Sequence, residues 1–389
     1  MPGKRFLFIT ATVLIHLAAC LSPVQGISRE DLQAKAALLM EYHTGEIITS
    51  LNQDKKVYPA SITKIMTMLI ALDALATGDI SLDNEVPITE RAASMGGSQL
   101  FLSPGDVIDM ESLLIGIVVG SGNDASVAVA EYIAGSEEAF VERMNERAKK
   151  MGMENTNFVN TSGLHHEDHY STTYDLALMS RELLSYPIFF RWSQIWMDEN
   201  FLEGRIRAGR VYLSNTNRLI RYYDGCDGIK TGFTGESGHS ISATASRNGT
   251  RLIAIVMGAP ASDIRYQEAK QLLDYGFSNY QGLVLIPRNQ VVSTLPVDRG
   301  SVLQADIIAL ESLSLMTKIG DEVEYEIEYH LPERLEAPAE KGSRVGTAVA
   351  LHEKDVVKEI DLVLADDLRK ASFPELLQRY FQIWLRFAN

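Results

Sequence analysis

Ser61 and Lys64, within Pro59-Ala60-Ser61-Ile62-Thr63-Lys64-Ile65-Met66-Thr67, form the strongest chemical pairing in the chain. Ser61 opens a predicted helix running through Leu75, so Lys64 at i+3 shares its face. A serine hydroxyl is a weak nucleophile until a base takes its proton. A lysine one turn on, partly desolvated, can stay neutral and act as that base. A helix N-terminus also offers free N–H groups where an oxyanion forms. Alone the pattern is weak, since Ser-x-x-Lys arises by chance about once in a chain of this size. An N-capping serine beside a solvated lysine would read the same.

Two further segments add weight. Gly120-Ser121-Gly122-Asn123-Asp124 falls between two helical stretches, as an interhelix loop. There Ser121 can relay a proton, and Asn123 has both a carbonyl and an amide to hold a lysine and orient a substrate amide. Asp227-Gly228-Ile229-Lys230-Thr231-Gly232-Phe233-Thr234 stands just before a strand hairpin. Gly232 lets backbone approach a ligand closely, and Lys230 and Thr231 suit a carboxylate. Singly, these read as a polar turn and a charged hairpin edge. In the order Ser-x-x-Lys, Ser-x-Asn, Lys-Thr-Gly, on a helix, a loop and a late strand, they match a known catalytic set.

The elements that must position them alternate. Ala36–Glu41 and Glu46–Ile48 read as a hairpin about His43-Thr44-Gly45. Helical spacing recurs over 61–75, 111–119, 125–133, 137–151 and 174–184. Strand-like runs over 240–246 and 251–257 follow, then a helix over 263–277. After about Gly282, short runs between Pro and Gly turns predict a small all-β module. Glu322 to Tyr329 alternates carboxylates with Val, Tyr and Ile. The stretch 301–370 holds 16 acids and 8 bases; that excess reads as a solvated sheet face.

The 389 residues are 46% hydrophobic and 22% charged, which excludes wholesale disorder. At roughly 100–200 residues per domain the length predicts two or three domains. Acids outnumber bases 51 to 36, a poor match to nucleic acid. Cys20 and Cys226 are the only cysteines, too few for a zinc ribbon or a disulfide framework. Cys226 reads as an inert buried thiol. His165, His166 and His169 with Glu167 and Asp168 lack helical zinc-pair spacing and read as a solvated loop. No metal and no cofactor are expected.

The N-terminus reads as an export signal. Lys4 and Arg5 precede an apolar run, Phe6 to Ala19, too short to span a bilayer comfortably. Val24-Gln25-Gly26 suits a conventional cut, while Leu17-Ala18-Ala19-Cys20 resembles a lipobox that would leave a lipidated Cys20; the first reading is preferred over lipidation and over an uncleaved anchor. No second stretch of about 18 apolar residues is expected. At the other end Phe373, Leu376, Leu377, Tyr380, Phe381, Ile383, Trp384 and Phe387 fall on one helical side. From Arg369 on there are four bases and one acid. Such a helix suits the plane of a membrane interface, or else docks on its own domain.

The motifs and their setting resemble the low-molecular-weight penicillin-binding proteins that are serine-type D-alanyl-D-alanine carboxypeptidases, over nearly the whole chain. Ala92-Ala93-Ser94-Met95-Gly96-Gly97-Ser98 and His169-Tyr170-Ser171-Thr172-Thr173-Tyr174-Asp175 also look like stretches of that family. The resemblance implies an α+β fold with a β-lactamase/transpeptidase-like catalytic domain: an antiparallel sheet flanked by helices, plus an all-helical subdomain. The expected division is a leader over 1–26, the catalytic domain over 27–282, a β-sandwich-like stalk over 283–370 and a membrane-anchoring helix over 371–389. It implies Ser61 as acylated nucleophile, Lys64 as its base, and Ser121 with Asn123 delivering the proton to the departing D-alanine. Lys230 and Thr231, with Gly232, would bind the substrate's carboxylate, as would Arg265, 35 residues past Lys230. The N–H groups of Ser61 and Phe233 would form the oxyanion hole. Some members carry His where Phe233 stands, which implies altered substrate detail. The implied partners are peptidoglycan stem peptides, β-lactams as covalent inhibitors and the membrane, at the outer face of the cytoplasmic membrane.

Two rivals share the fold. A class A β-lactamase uses a glutamate-held water, yet no Glu-x-x-Leu-Asn stretch lies between Ser121 and Lys230. A non-catalytic penicillin-binding sensor or scaffold would not need every matched catalytic position filled.

Overall fold

Ala36-Ala37-Leu38-Leu39-Met40-Glu41 is apolar at odd and even positions alike, so a strand built from it needs cover on both faces. It forms β1 (Ala36–Glu41), buried along its whole length. With β2 (Ile47–Leu51), β3 (Cys226–Thr234), β4 (Gly238–Arg247) and β5 (Thr250–Ala259) it makes a five-stranded sheet ordered β2-β1-β5-β4-β3. All four pairings are antiparallel. The computed structural model describes residues 6–13, 32–321 and 323–377. Its two compact units comprise 32–279 and, separately, 280–377 with 6–13.

Alternation along the strands divides the first unit into two cores. Ala36, Leu38, Met40, Ile253, Ile255 and Met257 face one, together with α1 (Lys64–Thr77), α2 (Asn123–Ala134) and α3 (Thr173–Leu183). Ala37, Leu39, Leu252, Ala254 and Val256 face the other, against Tyr266, Ala269, Leu272 and Leu273 of α4 (Ser262–Asn279). The helix α1 is buried from Lys64 through Leu72 and stops at Gly78, whose φ of 80° places it in the left-handed region. The stretch Ala60–Thr77, with mean hydropathy 1.4, is long and apolar enough to cross a bilayer by length and composition, contrary to the expectation of no second such stretch. It lies 72% buried, as expected of a core helix apolar on all sides.

Two helical readings need correction. A 3-10 turn, Ala60–Thr63, precedes α1, so Ser61 sits in a tighter coil than an α-helical start. The stretch read as a helix over 111–119 is α-helical over Met110–Ile115 and then a π-turn, Gly116–Gly120. The glycines there admit Leu100: a Cβ on Gly116 would stand 2.2 Å from Leu100 Cδ1.

The β unit begins at Tyr280, where α4 has ended. Its larger sheet runs, edge to edge, Phe6–Val13, Tyr325–Pro332, Arg344–His352, Asp355–Leu364, Gln304–Ala309, Val291–Asp298, Leu335–Glu336. Tyr280–Ile286 pairs separately with Leu313–Lys318. Ile286, Ile307, Leu313, Ile327, Ala348, Ala350 and Leu362 fill the core between them. Of the alternating acidic run, Tyr325–Tyr329 lies in the strand Tyr325–Pro332, with Tyr325 and Ile327 buried and Glu326 exposed, and Glu322 lies outside the described residues. Within the segment 1–26 read as a leader, Phe6–Val13 forms the edge strand paired with Tyr325–Pro332; the other residues of that segment, Cys20 included, lie outside the described residues. Of the tail, residues 373–377 are helical and 378–389 lie outside the described residues.

Candidate active site

The helix α1 delivers Lys64 into the first core, where its side chain is wholly buried. Its Nζ has three partners: Ser61 Oγ at 3.1 Å, Asn123 Oδ1 at 2.7 Å and the Ser162 carbonyl at 2.7 Å. Burial, chiefly, and then the charge of Lys230 hold the Lys64 pKa well below the usual lysine range, with Asp124 opposing. A neutral amine has two N–H donors and one lone pair. The amide oxygen and the carbonyl only accept, so they take both N–H groups. The lone pair is left to the Ser61 hydroxyl. Ser61 itself is partly exposed, open to a substrate. No side-chain capping bond is formed at either end of the 3-10 turn or at the start of α1, which removes the N-cap reading of Ser61.

Three walls surround this pair. Ser121, buried and left-handed at φ 64°, ends the π-turn, and Asn123 begins α2 two residues on. Asn123 donates through Nδ2 to the Gly96 carbonyl at 2.6 Å, and its own N–H donates to Ser98 O at 2.8 Å. Asp124 anchors the same loop, accepting from the N–H groups of Leu100 and Leu102. Burial raises the pKa of Asp124 while those amides oppose the rise.

The second wall is β3. The Lys230-Thr231-Gly232 segment is not a prelude to a hairpin but the outermost strand itself, paired with Ser240–Ser242 of β4. Gly232 is required by proximity: a Cβ there would lie 3.1 Å from Ser61 N and 3.0 Å from Pro59 O. Lys230 is almost fully buried, and burial and then the charge of Arg265 bring its pKa down to about 7. Arg265, from α4, donates through Nη1 to the carbonyls of Gly232 at 3.2 Å and Ser240 at 3.4 Å. It therefore braces β3 through its main chain. Its buried Nε has no partner among the described residues. Phe233 is 57% exposed, its ring stacked on His239 with centroids 4.4 Å apart.

The third wall, Thr161-Ser162-Gly163, belongs to none of the three motifs. Ser162 takes part through its carbonyl, which no residue type announces. Gly163, at φ 82°, packs so closely that a Cβ would lie 1.8 Å from Ala60 O. His169 departs from the solvated-loop reading. It is buried rather than in a solvated loop, and its Nε2 stands 2.8 Å from Thr63 Oγ1. The Val159 N–H donates to Nδ1 at 3.2 Å, so the proton sits on Nε2 and points at Thr63. Burial pushes the His169 pKa down to about 4. No group of three His, Cys, Asp or Glu able to hold a metal occurs among the described residues. Cys226 is buried, its thiol donating to Gly228 O at 3.4 Å and pushed up to about 12 by burial.

The arrangement fits acyl transfer by an activated serine, and known proteins share its frame. The family model described as D-alanyl-D-alanine carboxypeptidase matches residues 24–261, and that of the penicillin-binding protein 5 C-terminal domain matches 280–370. The chain is 40% identical over 356 residues to the D-alanyl-D-alanine carboxypeptidase DacF of Bacillus subtilis, covering 91% of each. It is 32% identical to DacC of Escherichia coli over 95% of this chain and 92% of that one. Among solved structures, penicillin binding protein 5 from Haemophilus influenzae superposes with a TM-score of 0.70 at 30% identity, over 89% of this chain and 100% of that one.

Proposed function

Because the chain belongs to the D-alanyl-D-alanine carboxypeptidase family, we propose that Ser61 is its acylated nucleophile and Lys64 the base that activates it. The activity is that of the family: release of the terminal D-alanine from peptidoglycan pentapeptides through a serine acyl-enzyme, which β-lactams also form. Lys64 takes the Ser61 proton and Oγ attacks the carbonyl carbon of the penultimate D-alanine. Main-chain N–H groups of Ser61 and Phe233 receive the developing oxyanion. The C–N bond then breaks, and the departing amine takes a proton passed through Ser121, with Asn123 holding Lys64 in place. Water repeats the sequence on the ester, freeing Ser61 and a shortened stem peptide. Thr231 and protonated Lys230 hold the substrate's terminal carboxylate, in a field to which Arg265 adds.

One observation carries this reading: a wholly buried Lys64 amine within 3.1 Å of Ser61 Oγ, its Nζ held by Asn123 Oδ1 and the Ser162 carbonyl, each at 2.7 Å. D-alanine release from a pentapeptide, compared between the wild type and Ser61→Ala, tests it; equal release by both would end the assignment. Penicillin should label Ser61 in the wild type.

We further propose that the protein is exported and works at the outer face of the cytoplasmic membrane, held there by the helix beginning at Phe373. The apolar run after Lys4 and Arg5 and the basic amphipathic pattern of 371–389 support this. Truncation after Lys370 should move the protein to the soluble fraction, and unchanged pelleting with membranes would argue against the tail.

A further inference from the structure

The carbonyl that accepts from Lys64 Nζ at 2.7 Å belongs to the peptide unit joining Ser162 to Gly163. In a trans peptide the carbonyl and the N–H point to opposite edges of one plane. The N–H of this unit, that of Gly163, donates to Asn160 Oδ1 at 2.7 Å. A single peptide plane thus spans two side chains, with the Lys64 amine at one edge and the Asn160 amide at the other.

The half-buried Asn160 holds its own loop on both sides of that plane. Its Oδ1 also accepts from the Ser162 N–H at 3.2 Å, and its Nδ2 donates to the Leu164 carbonyl at 2.9 Å. The two preceding peptide units are fastened from other elements. The Thr161 N–H donates to Glu137 Oε1 at 3.0 Å, and the Thr161 carbonyl accepts from Thr67 Oγ1 of α1 at 2.7 Å. For the Ser162–Gly163 unit the side-chain bonds are those to Lys64 and Asn160. Gly163, at φ 82°, has no Cβ to hinder rotation of the plane. Turned over, the plane would aim an N–H at Lys64 and a carbonyl at Asn160. The lysine would lose an acceptor, and its lone pair would face the new donor instead of the Ser61 proton.

We propose that Asn160 is a positioning residue for acylation: by holding the Gly163 N–H it keeps the Ser162 carbonyl aimed at Lys64, and through that contact keeps the lysine lone pair on Ser61. This rests on the reading of Lys64 as the base. Asn160 acts through main chain alone and need not touch the substrate.

Acylation of Ser61 by penicillin, followed from pH 6 to 10 in the wild type, Asn160→Ala and Asn160→Asp, tests it, with rates taken per chain that penicillin finally labels. Alanine leaves the Gly163 N–H without its acceptor. The plateau rate should fall roughly a hundredfold, as for a misplaced catalytic group, while affinity in the initial non-covalent complex holds, since Lys230 and Thr231 are untouched. The acid limb should move to lower pH, because a carbonyl favours the ammonium and an N–H opposes it. Lys230 on β3, Asp124 on α2 and His169, whose charges bear on Lys64 or feel it, are the same in all three proteins. Aspartate keeps the acceptor and should restore most of the plateau. An alanine variant that acylates as the wild type, that slows with an unmoved acid limb, or that leaves no chains able to be labelled overturns the inference, as does an aspartate variant as slow as alanine. If penicillin does not label Ser61 in the wild type, the reading of Lys64 falls and this inference with it.

Discussion

The Nζ of Lys64 and the carbonyl oxygen of Ser162 lie 2.7 Å apart, although 98 residues separate them in the chain. This contact and the one to Asn123 Oδ1 decide where the lysine lone pair points. The carbonyl cannot be removed by substitution, but the amide oxygen can.

Asn123→Asp would set a carboxylate beside Lys64. The negative charge favours the ammonium, raising the Lys64 pKa that burial and Lys230 had lowered. At pH 7 acylation by penicillin should fall roughly a hundredfold and recover in part at higher pH. Acylation rates measured from pH 6 to 10 check this; an acid limb that does not move would show that Asn123 does not orient the base.

Lys230, near 7 when free, should govern substrate capture on the alkaline side. As it loses its proton, kcat/KM falls above about pH 7, whereas kcat holds because the bound carboxylate keeps Lys230 charged. Lys230→Arg keeps a cation at every accessible pH and should remove that alkaline limb while lowering kcat. A limb that persists in the arginine variant would belong to another group.

His169 gives a stability prediction with a definite sign. Its pKa is lowered on folding, from the ordinary 6.5 to about 4, so the unfolded chain binds more protons between those values. Stability is therefore full above about 6.5 and lost as pH falls toward 4, by up to about 3 kcal/mol for this group. His169→Gln, which cannot titrate there, should have a lower Tm at pH 7 but a shallower decline over that window. Parallel declines in the two proteins would refute the assignment.

Two glycines near Ser61 should respond differently. Gly163→Ala drives a Cβ into the Ala60 carbonyl and should cost several kcal/mol, seen as a large loss of Tm. Gly232→Ala meets its neighbours at about 3 Å, so the fold should survive with a small change in Tm. Acylation should nonetheless drop by roughly 10- to 100-fold, because the Ser61 N–H has to give way.

What could be read in the residues follows from how each acts. Ser61, Lys64, Ser121, Asn123 and Lys230 belong to short patterns on definite elements, and the sheet and helices that carry them follow from hydrophobic period. Ser162 acts through its main chain and leaves no compositional trace. His169 sits among His165, His166, Glu167 and Asp168, a run polar enough to suggest solvent; only the fold turns one of its rings inward onto Thr63. The 3-10 turn at Ser61 shares the i+3 spacing of an α-helix, so periodicity cannot separate them. Arg265 is implied only by the family resemblance, and its bonds to Gly232 O and Ser240 O depend on where α4 crosses the sheet.

Neighbouring positions of β1 feed opposite interiors: Leu38 and Met40 enter the one that holds the Lys64 helix, Ala37 and Leu39 the one against α4. A slip of one residue in pairing would exchange these contents: in one direction Glu41 would take the place of Met40 in the first interior while Leu38 took that of Ala37 in the second. Misregistered chains would thus carry faults in two places and could not mature into a half-working enzyme. Proofreading of the reactive centre is in that sense built into the central strand, well away from the atoms that react.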